Sequence, residues 1–270
     1  MNESIQTGTV SCANNNPQAS TFILQAENIT VGLDEKMVLQ DVSFVVRRGE
    51  LVGVVGPNGA GKTTLLKTLV GLLNQQSGSI TWNNCCDVKI GYLPQNCEAV
   101  GFPISVKDLV MMGRTRRIGP GRLPKNHDKR RVQKSLQTVG LKRDVWCKNV
   151  NNVSGGQRRL ALLAMMLAAD SDVLLLDEPA SSLDIPGQQR LYTTLKKLSR
   201  QGLSIIAVSH DLLTIGQFAD RLLAIDRCIW ADGSPENVFS SSDFFRCYGI
   251  EYNSEMGNLS EVMEKGAFSV

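Results

Sequence analysis

Apolar and polar positions change period several times along the 270 residues. Between Phe22 and Val55 the runs are short and β-branched: FILQAENITV, then VLQDVSFVV with Val42, Phe44 and Val46 on one face, then LVGVV. These predict strands, and the unbroken apolar run of the last predicts burial on both faces. A glycine-rich turn follows, after which KTTLLKTLVGLL repeats its leucines at helical spacing. From about Glu98 to Asp170 the period is mainly helical, with Val132, Leu136 and Val139 at i, i+4 and i+7 and an interruption at IGPGRLP. VLLLDEP then predicts a second buried strand, LYTTLKKLSRQG a helix ended by Gly202, and LSIIAVSH a further strand. Strands alternating with helices imply a mostly parallel sheet whose working edge lies at the strand C-termini.

Composition changes this picture little. With 42% hydrophobic and 20% charged residues the chain can bury an ordinary globular core. A net charge of +3, from 29 Lys and Arg against 26 Asp and Glu, gives no reason to expect a nucleic-acid partner. The longest apolar run, Leu160 to Ala169, is flanked by Arg159 and Asp170 and is shorter than the ~18–20 residues that span a bilayer. Residues 1–20 are rich in Asn, Gln, Ser and Thr, lack the apolar stretch of a secretory signal, and are expected to form a disordered tail. The ordered domain is expected over 21–250, with a helical subdomain at about 98–170 and a second tail over 251–270. Of seven cysteines only Cys85 and Cys86 are adjacent, and without a CxxC pair they read as reduced cytosolic thiols.

Chemistry concentrates in three places. GPNGAGKTT follows a buried strand and opens a helix, the context that a phosphate-binding loop requires. Gly56, Gly59 and Gly61 allow backbone N–H groups to turn inward, with Pro57, Asn58, Ala60 and Thr64 completing the loop around a nucleotide phosphate. Lys62 adds a full positive charge, and the Thr63 hydroxyl suits Mg²⁺. At the end of VLLLDEP, Asp177 suits the Mg²⁺ shell and Glu178 the attacking water. Just upstream, VSGGQRRLA sets Ser154, Gly155, Gly156 and Gln157 at a helix start, where they can cradle a γ-phosphate or form an ordinary serine cap.

Ser154 to Gln157 match the signature of the ABC ATPase family, and the chain resembles that family from Phe22 to Gly249. The resemblance implies an α/β P-loop NTPase with a mostly parallel core sheet, an antiparallel β lobe and an inserted helical subdomain. Gln95 in GYLPQ is similar to the family's Q-loop glutamine, a further Mg²⁺ contact; Ser182, Leu183 and Asp184 resemble its D-loop, and His210 its switch histidine. The resemblance further implies ATP hydrolysis by Glu178, His210 and Gln95 in a head-to-tail dimer, whose second cassette is an identical or similar chain. Ser154, Gly155, Gly156, Gln157 and Asp184 would complete the partner's nucleotide site. The other implied partners are a multi-span membrane permease and an extracytoplasmic solute-binding protein, with the chain peripheral on the cytoplasmic face of the cell membrane. Two positions depart from the family pattern: Leu33 stands where an aromatic residue usually stacks on adenine, and Val153 where leucine usually opens the signature.

The run Arg114 to Arg131 carries eight Lys or Arg against one Asp, which suits a solvated face better than a site for anionic headgroups. In GFPISVKDLVMMGR the resemblance places a groove for a permease helix, with Val106, Leu109, Val110 and Met112 facing it, unless they are ordinary helical core. That segment, with YLPQ, ADRLLAID and ADGSPENVF, resembles importer cassettes for manganese, zinc or iron. Iron-chelate importers and soluble non-transport ABC ATPases are the alternatives. With two histidines and no clustered thiols, the chain itself is expected to hold no transported metal.

Overall fold

A computed structural model describes residues 22–33, 36–83, 88–96 and 103–250. The expected tails, Cys85 and Cys86, and the first two residues of GFPIS lie outside the described residues. An antiparallel sheet of order β2-β1-β4 is formed by β1 (Phe22–Leu33), β2 (Lys36–Arg47) and β4 (Ser77–Trp82). Val42, Phe44 and Val46 all point into its core, as their alternation predicts.

The second sheet contains β3 (Leu51–Val55), β5 (Ile90–Leu93), β6 (Val173–Asp177), β7 (Ser204–Val208), β8 (Arg221–Asp226) and β9 (Cys228–Gly233), in the order β5-β6-β7-β3-β8-β9. Its strands pair in parallel except for β9, which runs antiparallel at the edge. Every residue of β3, β6 and β7 is buried. Alternate side chains serve two cores: Leu51, Val55, Leu174 and Leu176 pack on one side, and Val52, Val54, Val173 and Leu175 on the other. A strand needed by two cores has no polar position to spare, which explains the unbroken apolar runs.

Helix α1 (Lys62–Leu69) follows β3. Helices α2 (Val106–Met112), α3 (Thr115–Ile118), α4 (Asn126–Thr138) and α5 (Gly155–Ala168) all lie between β5 and β6 in the chain. Helix α6 (Ile185–Arg200) leads from β6 to β7, and α7 (Leu212–Phe218) from β7 to β8. Helices α8 (Pro235–Phe239) and α9 (Ser242–Cys247) come last. Helix α6 starts earlier than its leucine period suggests, because Asp184 caps it and Pro186 fits its first turn.

Two expectations are corrected. Val106, Leu109 and Val110 are buried at 0, 5 and 0% exposure within the core that α2 shares with α4 and α5, so only Met112, at 50%, faces outward. Positions three and four apart on one helix face meet the same neighbours, and here those neighbours are helices of the same chain. The basic run is likewise not a solvated face throughout. Arg114 is 2% exposed, and its guanidinium meets Asp128 at 3.1 Å, Asp170 at 2.5 Å and the Ala168 carbonyl at 2.7 Å. Asp170 also takes Arg117 at 3.0 Å and Arg131 at 2.8 Å. Burial alone would raise the Asp170 pKa, but the Arg114 hydrogen bond and the surrounding guanidinium charges hold it below the usual carboxylate range. The network fixes α3 and α4 against the end of α5.

Candidate active site

Four parallel strands end at one edge of the sheet, and each delivers a chemical group there. Strand β3 runs into the phosphate loop, β6 ends on Asp177 and Glu178, β7 leads to His210, and β5 to Gln95. A cavity of about 370 Å³ is lined there by Val38, residues 58–64, Gln95, Glu178 and His210. A larger cavity, of about 590 Å³, opens at the opposite edge among Arg48, Arg131, Lys134 and Asp172, and neither the phosphate loop nor Asp177, Glu178, His210 or Gln95 lines it.

The loop conformation depends on glycine at two points. A Cβ on Gly56 would lie 1.9 Å from the Ile225 carbonyl oxygen. Gly61 caps α1 at φ 93, where a Cβ would also strike Leu39 at 2.7 Å. No side chain caps α1 and no acidic residue lies in its first turn, so its N-terminal backbone dipole is open to the cavity. Lys62 is 6% exposed, and its Nζ donates to the carbonyls of Gly56 at 2.6 Å and Pro57 at 2.7 Å. Burial lowers its pKa, against the opposing pull of Glu178 and Asp177.

Thr63 Oγ1 donates to Asp177 Oδ2 at 2.8 Å. Asp177 is fully buried, its Oδ1 has no hydrogen-bond partner, and burial pushes its pKa up. An orphaned buried carboxylate oxygen beside a hydroxyl is a donor set for a hard cation, so Thr63 and Asp177 fit Mg²⁺. No group of three His, Cys, Asp or Glu side chains that could hold a metal occurs among the described residues. One carboxylate with a hydroxyl suits an ion that takes its other ligands from phosphate and water. Gln95 Nε2 donates to Glu178 Oε1 at 2.9 Å, and His210 Nε2 meets the same oxygen at 2.5 Å. Gln95, Glu178 and His210 thus converge on one carboxylate. Glu178 itself sits at φ 50, a conformation that non-glycine residues rarely adopt.

The signature residues stand apart. Ser154 Oγ accepts the Gln157 N–H at 3.2 Å, and Gln157 Oε1 accepts the Ser154 N–H at 3.2 Å, forming a capping box on α5. Asp184 caps α6 through the Gly187 N–H at 3.0 Å. Neither Ser154, Gly155, Gly156 and Gln157 nor Asp184 lines the cavity of this chain.

Four contributors escaped the sequence reading. Arg159 is 6% exposed and donates to the Glu178 carbonyl at 2.9 Å, to Ser181 Oγ and to the Gln95 carbonyl. Its spacing from the buried Gly156 and Leu163 was a legible signal, since all three fall on one face of α5. Val38 lines the cavity where Leu33 does not; Leu33 ends β1 and is 38% exposed. Beneath the loop, Cys247 is 3% exposed with its thiol pushed up to about 12 by burial. Beside it the Gly56 backbone hydrogen-bonds the Tyr248 phenol, which burial also raises.

The sequence pattern of the ABC transporter family matches residues 39–181, and a shorter AAA-domain pattern matches 149–216. The manganese transport system ATP-binding protein MntB of Bacillus subtilis is 37% identical, over 84% of this chain and 93% of its own length. The zinc transport system ATP-binding protein TroB of Treponema pallidum is 32% identical, over 92% of this chain and 96% of its own. Among solved structures, an inward-facing "metal-chelate type ABC transporter" superposes with a TM-score of 0.75 at 28% identity, covering 85% of this chain and 90% of that one.

Proposed function

The chain belongs to the family of ABC transporter ATP-binding subunits, a family of nucleotide-binding ATP hydrolases, and from that premise we propose that it drives uptake of divalent metal ions. One observation carries the cargo: two metal-transport ATP-binding proteins align with it across 93 and 96% of their lengths at 37 and 32% identity. No helix among the described residues is long and apolar enough to cross a membrane; the reading assigns the pore to a separate permease. Exposed Met112, with Met111, Ile118 and Pro120, lines a groove of about 330 Å³ able to seat a short permease helix. The permease, a cytoplasmic-face location and a solute-binding protein on the far side belong to this reading, as does pairing with a second cassette.

Within one chain, Lys62 exchanges its two loop carbonyls for phosphate oxygens of ATP, and the α1 dipole favours the same charge. Thr63 and Asp177 would hold Mg²⁺, which when bound would neutralise phosphate charge. Glu178 orients the attacking water and accepts its proton, while Gln95 and His210 fix the carboxylate between them. Ser154, Gly155, Gly156 and Gln157, with Asp184, face a nucleotide held by the second cassette. Closure of the pair excludes water and assembles the site, and hydrolysis releases it.

The likeness to a metal-chelate transporter favours a second reading, in which the cargo is a chelated metal. Both are tested by reconstituting the complex and measuring ATPase stimulation by binding protein loaded with Mn²⁺, Zn²⁺ or Fe²⁺, with an iron chelate, or with an amino acid. Stimulation by the bare ions supports the first reading, by the chelate the second; stimulation only by the amino acid overturns both.

A further inference from the structure

On α5, the helix that starts at Ser154, Arg159 is buried among three acceptors supplied by two other segments. Its guanidinium reaches the Glu178 carbonyl after β6, the hydroxyl of Ser181, and the Gln95 carbonyl after β5. The adjacent Arg158 instead bonds the nearby Val150 carbonyl, so the three-way contact is a matter of which helix face Arg159 occupies. Glu178 lies in a left-handed backbone conformation, with its N–H held by the Val208 carbonyl at 3.1 Å and its own carbonyl held by Arg159. Releasing either contact frees one of the two peptides that flank Glu178 to rotate, and the carboxylate moves with it.

We propose that Arg159 is a positioning residue that transmits engagement of the Ser154–Gln157 helix start to Glu178 and Gln95 of its own chain. The proposal rests on the reading above, in which that helix start faces the nucleotide of the second cassette. A displacement of α5 on closure is then carried by one rigid, planar group to the peptides that aim the water-orienting carboxylate and its glutamine. Nucleotide bound across the interface thereby tunes hydrolysis in this chain's own site, and the two sites of a pair fire together. Arginine is required because its fork meets several acceptors at fixed angles, whereas lysine presents a single point charge.

The test compares Arg159→Lys, Ser181→Ala and Glu178→Gln in the full chain assembled with its permease. Arg159→Lys should leave the ATP Kd of the isolated cassette within about twofold, lower kcat about tenfold and bring the Hill coefficient for ATP toward about 1. Ser181→Ala, which removes one acceptor at little risk to folding, should lower kcat by about two- to threefold and move the Hill coefficient only part of the way toward 1. If Arg159→Lys fails to fold, Ser181→Ala decides alone. Wild-type kcat and cooperativity in the folded variants would overturn the proposal, and so would a loss of kcat matched by equal losses in ATP affinity and melting temperature. Normal turnover in Glu178→Gln would instead overturn the active-site reading on which the proposal stands.

Discussion

Helices α1 and α5 both begin on glycine-rich segments, yet their N-termini are prepared differently. α1 opens on Gly61, carries no side-chain cap and no acid in its first turn, and has the buried Lys62 as its first residue. α5 opens on Ser154, whose hydroxyl and backbone N–H are both engaged by Gln157. Every helix start offers a partial positive charge, but only an uncapped one offers it at no cost. The phosphate loop is therefore a complete anion site within one chain, whereas the signature start is self-satisfied and needs a ligand able to outcompete its own cap.

The largest effect that bears on this contrast is expected from Glu178→Gln. Turnover should fall by about 10²–10⁴-fold with ATP affinity retained, because the amide cannot accept a proton from the attacking water. The variant with ATP should then accumulate as a pair in size-exclusion chromatography; a variant that stays monomeric would break the assignment of α5 to a second chain's nucleotide. Next comes Lys62→Ala, which removes a charged donor and should weaken ATP binding to the isolated chain by roughly 1.5–3 kcal/mol, read by calorimetry. Ser154→Ala sharpens the comparison from the other side. It should cost about 1 kcal/mol of unfolding free energy through the lost cap while leaving single-chain ATP affinity unchanged and lowering the turnover of the pair. An affinity loss in the monomer would place α5 in the wrong site. The smallest shift is expected from Val38→Ala, about 0.5–1 kcal/mol weaker ATP binding from lost apolar contact, with Leu33→Ala silent in the same titration.

Three strands of the six-stranded sheet were legible, because strands shared by two cores leave no room for polar residues, so β3, β6 and β7 announce themselves while β5, β8 and β9 do not. The residues that meet in the cavity were legible because phosphate chemistry demands particular residue types at strand ends. What failed to show was direction. A helix-spaced Val106, Leu109 and Val110 looks the same whether its neighbour is a permease or α4 and α5, and only packing separates the two. Arg114 read as part of a solvated face, and Arg159 drew no reading, because their acceptors come from distant segments: Asp170 is 56 residues from one, and the Gln95 carbonyl 64 residues from the other. Helical spacing can show that Arg159 shares the buried face of α5, but it does not name a partner so far along the chain.

The phosphate loop also has a floor that the family pattern does not cover. That pattern ends at residue 181, yet Gly56 rests against the Ile225 carbonyl and hydrogen-bonds Tyr248, the residue that follows α9. Phe244 and Phe245, 0 and 1% exposed, anchor the helix that presents it. An expression clone trimmed to the recognisable motifs, or even to the last strand at Gly233, would keep the loop, Gln95, Glu178 and His210 that line the cavity and lose the support under the turn that holds them. For this protein the minimal unit for crystallisation or inhibitor screening extends to residue 250, and affinity tags belong beyond it.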